Sequence, residues 1–525
     1  MRERGSAARS AGGKAMTVVD TTYGPVRGCQ DGPVKVWKGI RFAAPPVGDL
    51  RFRAPEPPGR SAEVADATAF GPACPQVVMP RMPLELGAPL GEDCLRLNIW
   101  APSGAQPGAG KPVMVWLHGG AYVLGSASQP LYDGRALAGN GDVVVVTVNY
   151  RIGALGFLDL SSFSTWQRPF DSNIGLRDVL AALAWVRDNI AAFGGDPANV
   201  TLFGESAGAG LVTTLLACPA AEGLFVRAIA QSSPATSVYD RDRGRRVTLA
   251  VLDKLGIGAS EARKVADMPT AALVAATNEV FNEVPVSNPG TLAFVPIVDG
   301  DLLHDQPVKL AQEGRLLPVP LIIGTNKREA ALFRLMRSAL MPITPHAITT
   351  MFSQIAAEQP DLQLPTMDVF GSAYSGRQKA RSVNMATDIG FRMPSVWLAD
   401  GHSAVAPVYL YRFDYATPLY KLLLVGAAHA TELPYVWGNL GGPQDVTLKL
   451  GGAKTATAVS ARMQTRWINF AVLGTPDGPP GEPYWQPYQA SADRACLVID
   501  KEDRVVHDVD ARIRGAWGDQ MVSFR

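Results

Sequence analysis

The chain has 525 residues, 47% of them hydrophobic and 18% charged, an ordinary globular composition with ample apolar material for a large core. Its 49 Lys and Arg against 48 Asp and Glu leave a net charge of +1 with no basic run, which argues against nucleic acid or an anionic membrane surface as partner. No uninterrupted apolar run approaches bilayer-spanning length, and the five cysteines have neither zinc-ligand spacing nor the density of a disulfide scaffold, so no membrane anchor, metal or cofactor is expected.

Residues 1–15 are rich in Arg, Ser, Gly and Ala and lack the apolar core of a secretory signal. They are read as a disordered leader or expression remnant, with Met16 as an alternative start. A cytoplasmic location is the default, and secretion stays open for a trimmed chain. Cys74 and Cys94 bracket a Pro- and Met-rich loop, which they either close or leave as buried or free thiols. Residues 112–117 and 142–148 are continuous apolar runs, as expected of strands covered on both faces. Between the second run and Val200, the apolar positions Leu176, Val179, Leu180, Leu183, Val186 and Ile190 recur at helical spacing. Gly194, Gly195 and Pro197 stop that helix. Strand, helix and a strand at 200–203 then form a βαβ unit, which implies a parallel pair with a right-handed crossover.

Residues 321–324 and 408–412 read as further strands. The Met- and Leu-containing stretch 330–399 reads as a helical cap, with its Met and Phe side chains packed inside the cap rather than against a ligand. Residues 16–525 are therefore expected to form one α/β domain, a large, mostly parallel sheet flanked by helices.

Gly204-Glu205-Ser206-Ala207-Gly208 follows the short apolar strand and precedes the helix-forming run 211–216. This is a nucleophile elbow, the strand–turn–helix of the α/β-hydrolase fold that presents a serine hydroxyl above the sheet. A serine needs a base within hydrogen-bond reach, and the base needs an orienting acid. In the chain order serine, acid, histidine, His118 is eliminated as base. His429, in the small-residue loop 425–432, is the first choice and His402 the second, although a surface or capping role suits His402 better. His304, His346 and His507 read as exposed. Glu329, in the loop after the strand at 321–324, is the candidate acid, with an exposed loop carboxylate as its competing reading. His118 instead opens the turn His118-Gly119-Gly120-Ala121, whose backbone N–H groups, with that of Ala207, can converge on an oxyanion.

With these residues assembled, the chain resembles the type-B carboxylesterase family of α/β hydrolases, which includes the cholinesterases and bacterial para-nitrobenzyl esterases. The resemblance runs from about residue 23 onward. Besides the elbow, it is carried by residues 37–46 (WKGIRFAAPP), 50–55 (LRFRAP), 92–98 (EDCLRLN), 149–157 (NYRIGALGF), 193–199 (FGGDPAN) and 294–300 (FVPIVDG). It implies Ser206 as nucleophile, Glu329 as acid and His429 as base. The oxyanion donors would be Gly120, Ala121 and Ala207, with Gly119 shaping the turn. Glu205 and Ser232 would orient the histidine. Arg51 with Glu92, and Arg151 with Asp178, would be buried structural ion pairs, and Cys74 with Cys94 a disulfide.

Two departures bear on substrate. The loop 76–91 has no tryptophan where cholinesterases hold a quaternary ammonium by cation–π attraction. Gly290 and Leu292 stand where two phenylalanines narrow the acyl pocket of those enzymes. The expectation is a serine carboxylic-ester hydrolase acting through an acyl-enzyme on uncharged, fairly apolar small-molecule esters, with a broad acyl pocket. The alternatives are an amide, carbamate or lactone hydrolase using the same triad, and a non-catalytic binding module. The presence of all three triad members disfavours the last. Monomer and dimer are equally compatible with the sequence.

Overall fold

Continuous apolar runs become strands buried on both faces. Val144, Val145, Val146, Thr147 and Val148 are all 0% exposed, and β-branched residues fill such a surface well. The computed structural model describes residues 15–77, 84–374, 376–441 and 446–525. The leader expected at 1–15 lies outside these residues except for Ala15, whose carbonyl accepts from Gln30 N at 2.8 Å. Residues 78–83 of the loop between Cys74 and Cys94 also lie outside them.

Among the described residues one mixed sheet contains β1 (Met16–Thr21), β2 (Gly24–Asp31), β3 (Val34–Arg41), β4 (Ala65–Asp66), β5 (Arg96–Pro102), β6 (Lys111–Leu117) and β7 (Val144–Val148). It continues with β8 (Gly195–Glu205), β9 (Arg227–Gln231), β10 (Leu321–Asn326), β11 (Val408–Phe413), β12 (Ala495–Ile499) and β13 (Arg504–His507). The order is β1-β2-β3-β5-β7-β6-β8-β9-β10-β11-β12-β13, with β4 beside β2. From β7 to β12 every pairing is parallel, while β1–β2, β2–β3, β3–β5, β5–β7 and β12–β13 are antiparallel.

The helix expected over 176–193 is Ile174–Asn189, continued by a 3-10 turn at Ile190–Phe193. Its crossover does not bring β8 beside β7, because β6 lies between them. That insertion matters for chemistry. It sets Leu117 opposite Gly204, so the turn after β6 adjoins the elbow after β8. Alternate residues of β6 serve opposite faces of the sheet. Val113, Val115 and Leu117 join the core that includes Leu176, Val179 and Val186, whereas Met114 and Trp116 pack with Val459, Met463 and Trp467 of the helix Ala453–Leu473.

Residues 330–402 contain the helices Ala330–Met336, Pro345–Glu358, Met367–Ala373, Gln378–Thr387 and Met393–His402, with a π-helical turn at Asp388–Arg392. No helix among the described residues is long and apolar enough to cross a membrane.

Arg151 and Asp178 form a fully buried bidentate pair, with Nε donating to Oδ2 at 2.8 Å and Nη2 to Oδ1 at 2.6 Å. Arg51 and Glu92 are bridged too, Nε to Oε2 at 2.8 Å, with 13% and 11% of their side-chain surfaces left exposed. Asp178→Ala leaves a guanidinium in the core without its counter-ion. It is expected to cost about 3–5 kcal/mol of stability, read as a lowered urea midpoint. Cys74 and Cys94 are buried with their thiols hydrogen-bonded to each other, and neither is bridged. The disulfide implied by the resemblance is thus not formed in this structure. That contact, with burial, holds the Cys94 thiol well above the ordinary range.

Candidate active site

β8 ends at Glu205 and the helix Ala207–Leu216 begins two positions later, so Ser206 alone makes the turn. It adopts φ 56° and ψ −125°, a conformation rare for a residue with a side chain and of the kind that collects at functional sites. Close approach explains the flanking glycines. A Cβ on Gly204 would stand 2.6 Å from the carbonyl carbon of Gly208, and one on Gly208 would stand 2.1 Å from the Leu117 oxygen. Any side chain at either position would wedge the helix off the sheet.

Because β8, β9 and β10 run parallel, the loops after their carboxyl ends emerge on one edge, where ligands of such sheets gather. The loop 414–432 after β11 brings in the histidine. His429 Nε2 is 2.8 Å from Ser206 Oγ, and its Nδ1 is 2.8 Å from Glu329 Oε2. Glu329 is 0% exposed, which removes the reading of it as a surface carboxylate. In the tautomer this arrangement demands, Nδ1–H donates to Glu329 and Nε2 accepts from the serine hydroxyl.

The other histidines fall away. His118 is buried and stacked on Tyr150, and burial pushes it down to about 4, so its ring is neutral. His402, expected at the surface or in a cap, is fully buried, with Nε2 bonded to the Val319 oxygen at 2.8 Å. It belongs to packing because the helix Met393–His402 lies against the helix Pro307–Gln312. His304, His346 and His507 are exposed.

Gly120, Ala121 and Tyr122 all carry positive φ (122°, 51° and 62°), which coils the turn after β6 tightly toward the serine. Ala121, Ser206 and Ala207 line the same cavity. Ala207 opens its helix, where first-turn N–H groups lack an intrahelical acceptor and suit a developing negative charge. A Cβ on Gly119 would meet Glu205 Oε2 at 2.8 Å, so this glycine makes room for the carboxylate as well as for the turn.

Glu205 Oε1 lies 3.3 Å from His429 Nε2. Ser232 acts one step further back than the resemblance implies. Its Oγ donates to Glu329 Oε1 at 2.6 Å, so it orients the acid and reaches the histidine only through it. Three groups enter that sequence reasoning missed. Asn326 N donates to the same Glu329 oxygen at 2.6 Å, and its side-chain amide bonds the Ala428 oxygen and the buried Glu432. Gln231 Nε2 donates to Glu432 at 3.1 Å. Glu432 lies three residues after His429, a carboxylate in an apolar loop, and was the one legible signal. The rings of Phe333 and Phe391 flank the imidazole at centroid distances of 5.4 and 4.5 Å.

Burial pushes the Glu205 carboxyl upward, and the adjacent imidazolium of His429 opposes that rise and favours its charged form. Burial opposes protonation of His429, but the negative charges of Glu205, Glu329 and Glu432 outweigh it and raise the imidazole to about 9. The base must be neutral to accept the serine proton, so kcat/KM is expected to rise with pH along a limb above 6.5, the ordinary imidazole value. Glu205→Gln removes one charge that favours imidazolium, and it is expected to move that limb to lower pH in a pH–rate profile.

The cavity over Ser206 spans about 760 Å³, part of it open to solvent, and is chiefly apolar. Gly290 and Leu292 line it, as do Phe333, Met341, Met351 and Phe391. Four of the Met and Phe side chains expected to pack inside the cap thus line the space above the serine, while Phe370, Met385 and Met393 pack in the core as expected. Phe333 and Met351 reach it from the helices Ala330–Met336 and Pro345–Glu358, Phe391 from the π-helical turn, and Met341 from the connection between the first two. No group of three or more His, Cys, Asp or Glu among the described residues is arranged to hold a metal ion.

The sequence matches the carboxylesterase family over residues 15–514. It is 39% identical over 509 residues to the para-nitrobenzyl esterase of Bacillus subtilis (strain 168), covering 95% of this chain and 97% of that protein. It is 34% identical over 466 residues to carboxylesterase 5A of Homo sapiens, covering 85% and 78% of the two. A solved PNB esterase structure aligns with a TM-score of 0.82 at 38% identity, over 95% of this chain and 99% of that one.

Proposed function

Because the chain belongs to the carboxylesterase family and is a serine carboxylic-ester hydrolase, we propose that Ser206, His429 and Glu329 are the residues that perform its reaction. The observation that carries this reading is the continuous relay from Ser206 Oγ through both ring nitrogens of His429 to Glu329, with 2.8 Å at each link.

Ser206 Oγ attacks the ester carbonyl while His429 Nε2 takes its proton. Glu329 holds the imidazole in the required tautomer and stabilises the imidazolium. The tetrahedral oxyanion rests on the N–H groups of Gly120, Ala121 and Ala207. His429 then returns its proton to the alkoxy oxygen, the C–O bond breaks and the alcohol leaves. Water, deprotonated by the same nitrogen, attacks the acyl-enzyme and releases the acid. The apolar cavity wall supports uncharged, fairly apolar esters as substrates. We also propose a cytoplasmic location, which the five unbridged cysteines favour.

Stoichiometric labelling of Ser206 by an organophosphate, mapped by peptide mass, tests the nucleophile. Labelling at any other residue would displace it. A panel of ester and amide substrates matched in acyl group tests the reaction class, and amide turnover well above ester turnover would overturn the ester preference.

A further inference from the structure

Gly290 removes the side chain with which related enzymes narrow the acyl pocket, yet the space beside it is occupied. A Cβ on Gly290 would stand 2.7 Å from Met351 Sδ and 3.6 Å from Phe524 Cε2, and both side chains line the cavity over Ser206. They arrive from distant parts of the chain, Met351 from the helix Pro345–Glu358 and Phe524 from a segment without regular structure. We propose that residues 522–525 form a specificity strap, in which Phe524 sets the depth of the acyl pocket and Arg243 is the positioning residue that holds it there. This rests on the reading that the Gly290–Leu292 wall receives the acyl group.

The strap is built as a wall. Val522, Ser523 and Phe524 all line the cavity and are 1%, 6% and 4% exposed. Among the described residues its backbone has no strand or helix partner, and side chains take over that role. Gln359 Nε2 donates to the Ser523 oxygen at 2.6 Å, Gln306 Nε2 to the Phe524 oxygen at 3.0 Å, and Arg243 Nε to the main-chain oxygen of Arg525 at 2.8 Å. Three successive main-chain oxygens are thus each held by a separate side chain.

Arg243 does more than close this series. Its guanidinium carbon lies 4.9 Å from the centroid of the Phe524 ring and 5.0 Å from that of Tyr239, in reach of cation–π attraction to both. Its Nη2 pairs with Glu358, whose other oxygen accepts from Arg525 N at 3.3 Å. Tyr239 in turn accepts from Leu292 N at 3.2 Å. One buried cation therefore ties the strap, the helix carrying Met351 and the Gly290–Leu292 wall into a unit. Among the described residues no hydrogen bond or ion pair joins this unit to Ser206, His429 or Glu329, so it can tune acyl fit without altering the chemistry.

The test is a series of para-nitrophenyl esters, acetate, butyrate and octanoate, in which only the acyl group varies. F524A is expected to raise the octanoate-to-acetate ratio of kcat/KM by roughly 10-fold or more, the scale on which apolar pockets discriminate chain length. F524W is expected to lower that ratio, and R243Q to shift it in the direction of F524A. Acetate turnover by R243Q, whose side chain lies outside the cavity lining, should stay within a few-fold of the parent. An unchanged ratio in both F524A and F524W, with acetate turnover retained, overturns the strap while leaving the hydrolase assignment intact. A parent chain inert toward the whole series overturns the reading beneath it and the strap together.

Discussion

Ser206→Ala is expected to lower para-nitrophenyl ester turnover by roughly a million-fold, the scale on which a triad nucleophile acts. The size of the loss follows from how little else can substitute. The hydroxyl is the atom placed 2.8 Å from the base, and its removal leaves His429 with no proton to take. The oxyanion donors and the cavity remain, so the variant should still bind substrate and retain the modest residual catalysis that positioning and charge stabilisation provide. Alanine also tolerates the turn as well as serine does, since the strain at φ 56° belongs to any residue with a Cβ. An unchanged thermal midpoint should therefore accompany the loss of rate. Parental turnover in the purified variant would refute the nucleophile assignment.

Glu329→Gln is expected to cost about 10⁴-fold in kcat with little effect on folding. The reason is a tautomer. Glu329 Oε1 already receives two donors, Ser232 Oγ and Asn326 N, each at 2.6 Å. In the variant the amide oxygen must occupy that position, because an NH₂ there would face two donors. The amide nitrogen then points at His429 Nδ1 and donates to it. That forces the imidazole proton onto Nε2, where it confronts the Ser206 hydroxyl instead of accepting from it. The side chain keeps its shape and its buried partners, so the expected signature is a collapse of kcat with an unaltered melting transition. Glu329→Asp should lose less, since it preserves the acceptor and only lengthens the reach. If the Gln variant retained more activity than the Asp variant, distance rather than charge would be the controlling quantity.

Much of this site was legible because its signals are local. The two-sided strands ending at Leu117 and Val148 announce themselves as uninterrupted apolar runs, and the helix Ile174–Asn189 shows its 3.6-residue period. The elbow is a short motif whose glycines are demanded by contacts within a few residues or with the adjoining strand. The order serine, acid, histidine removes His118, the small-residue loop singles out His429 from those that remain, and the structure brings that one to Ser206.

What escaped has the opposite character. Nothing near Ser232 says whether it will face the histidine or the acid; that depends on how β9 sits against β10. Phe391 packs against His429 in a tilted arrangement from a π-helical turn some forty residues upstream, a position with no motif of its own. The burial of His402 is decided by the packing of its helix against Pro307–Gln312, and Met341, in the connection before Pro345–Glu358, and Met351, on that helix, reach the cavity through packing that no local pattern specifies.

By itself the amino-acid sequence determined the local pieces and the chemistry they carry: strands, the crossover helix, a strained serine turn, an acid, a base and a glycine-lined charge sink. Only the tertiary structure decided that β6 would insert between β7 and β8, so that the charge sink adjoins the serine. It alone decided that Met351 and Phe524 would fill the space Gly290 vacates. The division has a physical cause. Periodicity and turn chemistry act over a few residues, whereas neighbours across a sheet or a cavity are chosen by packing the whole chain at once, where any side chain of the right volume can occupy a given gap.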